Sequence, residues 1–146
     1  MLGRLNHVAI AVPDIKTAAE VYRSTFAMGA KVSKEVAQPD HGVTTVFIEL
    51  DNTKIELLEP LGEKSPIANF LKKNPSGGIH HIAFGTDDVQ GQLKQAADAG
   101  VKLIHDKPFD GAGGKLVAFL HPKSTYGVLT EFCMPKPGND SCSCSH

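Results

Sequence analysis

Neither sign of charge prevails in this chain of 146 residues: 15 lysines and arginines stand against 16 aspartates and glutamates, a formal net charge of −1. Such a surface has no electrostatic footprint for nucleic acid or an anionic membrane, so neither is an expected partner. No apolar run approaches the roughly 20 residues of a membrane-spanning helix. The first strand pattern begins almost at Met1, which is expected to leave no room for a signal or transit segment. Cysteine is scarce as well. Of three, Cys133 lies in a strand pattern, while Cys142 and Cys144 lie in the polar ending. An odd count with two in a tail argues against a disulfide framework and for a reducing compartment.

What the chain does have is internal repetition. Leu5-Asn6-His7-Val8-Ala9-Ile10 and Ile79-His80-His81-Ile82-Ala83-Phe84 are two versions of one short strand. Each is followed much later by a second matching strand carrying a glutamate: Glu56 within 54–60, Glu131 within 129–135. The length suits one compact domain over residues 1–136, with modules 4–60 and 78–134, a connector 61–77 and a disordered tail 137–146.

Around these strands the order of elements also repeats. Residues 5–12 read as a strand, and Pro13-Asp14 breaks it and supplies a helix cap. Ile15, Ala18, Ala19, Tyr22 and Phe26 recur at helical spacing, with Gly29 at the stop. Strands are expected at 31–37, 43–50 and 53–59, the last two joined by a tight turn at Asp51-Asn52. The second copy runs strand 79–85, Asp88 cap, a helix with Val89, Leu93, Ala96 and Ala97 on one face, Gly100 as stop, then strands 101–105, 115–121 and 126–133. Between the copies, Ser65 caps a short helix with Pro66 in its first position. A βαβββ unit written twice implies an α+β fold in which both copies build one curved, cup-like, mostly antiparallel sheet with helices outside.

Two imidazoles and two carboxylates at equivalent places, His7, Glu56, His81 and Glu131, are a ligand set for a divalent metal. An acid at an inward strand position is costly to desolvate, and a metal converts that cost into coordination. Four such donors leave two positions of an octahedral ion open for two oxygens of a ligand. The mixed N/O set fits cobalt, manganese, nickel, iron or zinc. Other features are weaker. Gly111-Ala112-Gly113-Gly114-Lys115 lacks the phosphate-loop spacing and reads as a turn. His80 must face away from His81 and reads as a packing or surface residue. Lys123 in His121-Pro122-Lys123 reads as a solvated turn lysine, and the Cys142, Cys144, His146 ending as disorder rather than a soft-metal trap.

Together with the run Lys54–Gly62 continuing through Ser65–Ala68 and Phe70-Leu71, and the run Phe119-Leu120-His121-Pro122-Lys123, these stretches make the chain resemble the methylmalonyl-CoA epimerases of the vicinal oxygen chelate superfamily, from Leu5 to about Phe132. The resemblance implies reversible interconversion of the two C2 epimers of a CoA thioester, through an enolate. It implies a divalent cofactor, commonly cobalt, held by His7, His81 and Glu131 with Glu56 as a fourth ligand where some members have glutamine. Glu131 would be one acid/base. It further implies a homodimer and, as in animal members, a mitochondrial matrix location, or otherwise the cytoplasm. Some members carry a glutamate two residues after a Gly-Val pair; here Thr45 follows Gly42-Val43, which leaves the second acid/base to a metal-bound water, Glu49 or His41. A glyoxalase I-like lyase, an extradiol-type dioxygenase and a metal-free binding module are the alternatives on this scaffold.

Overall fold

The computed structural model describes residues 2–137 and divides into two compact units, one from His7 to His80, the other made of the chain before His7 and from His81 onward. Both boundaries fall inside strands, immediately before a histidine. The expected Cys142, Cys144 and His146 tail lies outside the described residues.

The first unit holds β1 (Leu2–Ala11, from His7 on), α1 (Ile15–Glu20), β2 (Val36–Gln38), β3 (Val43–Glu49), β4 (Lys54–Pro60) and α2 (Pro66–Lys73), in strand order β2-β3-β4-β1. The second holds β5 (Gly78–Thr86), α3 (Val89–Asp98), β6 (Phe109–Asp110), β7 (Lys115–Leu120) and β8 (Leu129–Pro135), in order β5-β8-β7-β6, with the leading residues of β1 beside β5. Each unit is therefore a βαβββ module, and the chain has the α+β fold its repeats imply. One strand pair per unit is parallel, β1 with β4 and β5 with β8; the remaining assigned pairs within the units are antiparallel.

Alternation along β4 sends Ile55, Leu57 and Glu59 to one face and Lys54, Glu56 and Leu58 to the other. The first face is closed by α1: Ile15, Ala19, Val46, Ile48 and Leu57 form one buried cluster. Leu57 is 1% exposed, so Leu57→Ala would cost about 2–5 kcal/mol in lost burial plus cavity. In the second unit α3 does the same with Val89, Leu93, Ala118, Leu120 and Phe132. The helices start as expected. Asp14 accepts from the Lys16 N–H at 3.1 Å and Asp88 from the Gly91 N–H at 2.9 Å. Ser65 accepts from the Ile67 N–H at 3.2 Å.

Several expected elements are corrected. The helix after Asp14 keeps α geometry only to Glu20 and continues as a wider π turn over Val21–Thr25. The extra residue per turn rotates the face, so Phe26 is 56% exposed rather than buried, with its ring set edge-on to Tyr22. Strand 31–37 shrinks to Val36–Gln38, preceded by a single bridge between Val32 and Ile48. Strand 101–105 is likewise one bridge, Leu103 to Leu120, and the short strand at Phe109–Asp110 was not anticipated. Strand 126–133 begins only at Leu129, because Tyr126 and Gly127 take positive φ of 58° and 85° in a turn.

The connector helix α2 packs through Ile67, Phe70 and Leu71 on Ala9, Ala11, Val43 and Leu58. Those residues share the face of Glu56. Gly77 closes this connector where only glycine fits: its φ is +91° and a Cβ would lie 2.4 Å from the Ala11 carbonyl oxygen.

Candidate metal centre

The repeat seen in the sequence is a repeat of register. In the first unit Ala9 is the partner of Glu56, two residues after His7; in the second Ala83 is the partner of Glu131, two residues after His81. Adjacent partners share a face, and so do residues two apart on one strand. Each glutamate is therefore delivered beside its own histidine. His7 Nε2 lies 3.5 Å from Glu56 Oε1, and His81 Nε2 lies 3.6 Å from Glu131 Oε1. All four residues are buried, at 3%, 9%, 5% and 6% exposure respectively.

These distances are informative. Two donors on an ion at about 2.1 Å each, at a right angle, stand about 3 Å apart. A 3.5 Å imidazole–carboxylate pair is a few tenths wider than that and longer than a charge-assisted hydrogen bond. Each pair thus fits two neighbouring coordination positions, and the donor types fit a borderline or hard divalent cation. Among the residues singled out from sequence, the structure brings together His7 with Glu56 and His81 with Glu131.

Aromatic rings back both glutamates. Phe47 is the antiparallel partner of Glu56, and Phe119 the partner of Glu131. Phe119 also meets His81 edge-on, centroids 5.4 Å apart, and so fixes the imidazole plane. Beside Glu131, Ala83, Val117 and Cys133 form a buried apolar cluster, and farther along the same face lies Lys115, 8% exposed.

The remaining candidates are placed as follows. His80 is half-buried against the Phe70 ring at 5.3 Å, and burial holds its pKa below the usual histidine range. It is a packing residue. Thr45 is 2% exposed; its Oγ1 accepts from Gln38 Nε2 at 3.3 Å and donates to the Val36 carbonyl at 3.4 Å. The threonine hydroxyl is spent on tying β2 to β3. Glu49 is exposed at the end of β3, and His41 is exposed in a 3-10 turn. Gly113 and Gly114 take positive φ in the turn from β6 to β7, as a loop reading requires. Nδ1 of His121 accepts from the Lys123 N–H at 3.1 Å, which caps a short turn and leaves the Lys123 side chain exposed.

Sequence reasoning passed over Lys54. It is 6% exposed, on the face of Glu56. Comparing the copies would have marked it, since the residue two before Glu131 is Leu129.

The family model described as the glyoxalase/bleomycin resistance protein/dioxygenase superfamily matches residues 6–119. A mitochondrial methylmalonyl-CoA epimerase of Dictyostelium discoideum is 56% identical over 130 residues, 89% of this chain and 77% of that protein. An ethylmalonyl-CoA/methylmalonyl-CoA epimerase of Cereibacter sphaeroides is 55% identical over 132 residues, 90% of this chain and 97% of that protein. Among solved structures, a methylmalonyl-CoA epimerase in complex with methylmalonyl-CoA and ammonium superposes with a TM-score of 0.84 at 34% identity, covering 95% of this chain and 99% of that one.

Proposed function

The chain belongs to the glyoxalase/bleomycin resistance protein/dioxygenase superfamily, and from that premise we propose that it interconverts the two C2 epimers of methylmalonyl-CoA. The observation that carries this reading is the doubled register: Ala9 against Glu56, Ala83 against Glu131, with a buried histidine 3.5–3.6 Å from each carboxylate. We assign His7, Glu56, His81 and Glu131 as the ligands of one divalent ion, cobalt by preference. Bound there, the ion would supply Lewis acidity toward the thioester and carboxylate oxygens that flank C2.

The protein's own part is proton transfer and exclusion of water. The C2 proton lies between two electron-withdrawing groups, and its removal leaves a planar enolate. Glu131 is the acid/base on one face of that plane: its carboxylate is buried among apolar neighbours, so the proton it takes is not lost to solvent. Inversion requires delivery from the other face. Thr45 is unsuited to it, its hydroxyl lying between Gln38 and Val36. Glu49 and His41 are exposed to water, unlike Glu131.

A homodimer in the mitochondrial matrix completes the reading, the Dictyostelium relative being named as mitochondrial. A glyoxalase I-like lyase or a metal-free binding module on the same scaffold would give a different result in one experiment. A single epimer of methylmalonyl-CoA is incubated in D₂O with the metal-free chain and again after cobalt is added. Deuterium enters C2 and the epimers equilibrate only with metal. Absence of exchange in the loaded protein would sink the assignment.

A further inference from the structure

The two halves differ beside their glutamates, at a position that is buried in the first and half-buried in the second. Two residues before Glu131, on the same face of β8, stands Leu129; two residues before Glu56, on the same face of β4, stands Lys54. An apolar side chain therefore satisfies this place in the module. Lys54 is nevertheless 6% exposed, and burying an ammonium group is expensive unless anions surround it. Its Cα partner across β3 is Glu49 and its neighbour along the face is Glu56, about 6.6 Å away along the strand. Lys54 is engaged by its surroundings rather than free.

The charge of the centre gives this lysine a task, on the reading of the site given above. Glu56 and Glu131 together cancel a divalent cation, so a centre built from those ligands alone is neutral. A neutral centre has no long-range preference for a ligand carrying an extra carboxylate over one without it. Glu49 is exposed and water screens its charge, so the one buried ammonium on the face of Glu56 leaves the centre with positive charge in a water-poor site, where Coulomb interactions are much stronger than in bulk water. We propose that Lys54 is a specificity-determining residue: its positive charge makes the site select a CoA thioester that bears a second, free carboxylate over the same thioester lacking it.

The test compares binding of methylmalonyl-CoA and propionyl-CoA to the cobalt-loaded full chain by calorimetry. Lys54→Met keeps the length and removes the charge. It should weaken methylmalonyl-CoA by about tenfold or more, the scale of one incompletely screened charge, while propionyl-CoA affinity and cobalt stoichiometry stay unchanged. Lys54→Arg should recover most of the preference, which a purely structural role for the stem would not predict. Equal weakening of both ligands, or an unchanged ratio, overturns the proposal. If the Met variant does not fold, Lys54→Gln, with a polar uncharged head, decides by the same ratio. A wild-type chain that binds no cobalt refutes the metal reading on its own. A wild-type chain that binds cobalt but shows no preference for the carboxylate refutes the role of Lys54.

Discussion

The His7–Glu56 half and the His81–Glu131 half share register, burial and donor spacing, yet their surroundings differ residue by residue. Beside Glu56 stand Lys54 and Thr45; at the matching places beside Glu131 stand Leu129 and Val117. His81 is held by the edge of Phe119. The first half thus has a lysine two residues from its glutamate where the second has a leucine; the buried cation of the second half, Lys115 at 8% exposure, lies farther along the face of Glu131. Metal binding asks for the four donors alone and is indifferent to this split. Proton transfer is not indifferent, because an acid/base must exchange its proton with the substrate and not with water. The lesson is that duplication supplies the ligands and divergence between the copies supplies the chemistry.

The sharpest way to break this contrast is to neutralise each glutamate in turn. Glu131→Gln should lower kcat by about 10²–10⁴, the usual worth of a positioned acid/base. Glu56→Gln keeps an oxygen donor and should stay within about tenfold of wild type, with the loss mainly in metal affinity. Comparable kcat losses in both variants would erase the division of labour. The histidines, in contrast, should behave alike. His7→Ala and His81→Ala should each weaken cobalt binding beyond the roughly 10–100-fold that even outer partners of metal ligands are worth. Elemental analysis after dialysis measures this, and retention of a stoichiometric ion by either variant removes that residue from the ligand set.

Thr45 tests the first half from within the fold. Thr45→Val makes the first half resemble the second, where Val117 stands. It removes two long hydrogen bonds, 3.3 Å from Gln38 and 3.4 Å to the Val36 carbonyl. Denaturant unfolding should show a loss of about 1 kcal/mol, with kcat within about twofold of wild type. A collapse in turnover with little change in stability would return Thr45 to the catalytic machinery.

How much of this was legible beforehand follows from what repeats and what substitutes. The His and Glu strands could be read because period-two alternation and duplication mark the same residues twice. The helix caps could be read because Asp14, Ser65 and Asp88 act locally. The second strand of each module could not. There the ladder is partly made by a side chain: Ser33 Oγ accepts from the Phe47 N–H at 2.8 Å, and His105 Nδ1 accepts from the Phe119 N–H at 3.1 Å. A side chain standing in for a backbone carbonyl leaves no alternating pattern to find. The placement of α2 was hidden for a different reason, since an amphipathic stripe does not say which face of a sheet it covers.

That matched pair of side-chain acceptors gives the smallest and most selective prediction. Ser33 cannot titrate near neutrality, whereas His105 can. Burial holds the His105 pKa below its usual 6.5, partly opposed by the nearby Asp106 carboxylate, and an Nδ1 that accepts a hydrogen bond is consistent with the neutral ring. The unfolded chain therefore binds a proton at higher pH than the folded one does. Stability from this group is complete above about pH 6.5 and is lost as pH falls below it through the folded pKa. His105→Ser gives the second half the acceptor of the first and should remove that part of the acid sensitivity. Denaturation midpoints near pH 7.5 and 5.5 should converge more in the variant than in wild type; His80, shifted in the same direction by burial, contributes equally to both and cancels. An identical acid loss in the two proteins would mean that the imidazole carries no proton-linked stability and that the two plugs are interchangeable.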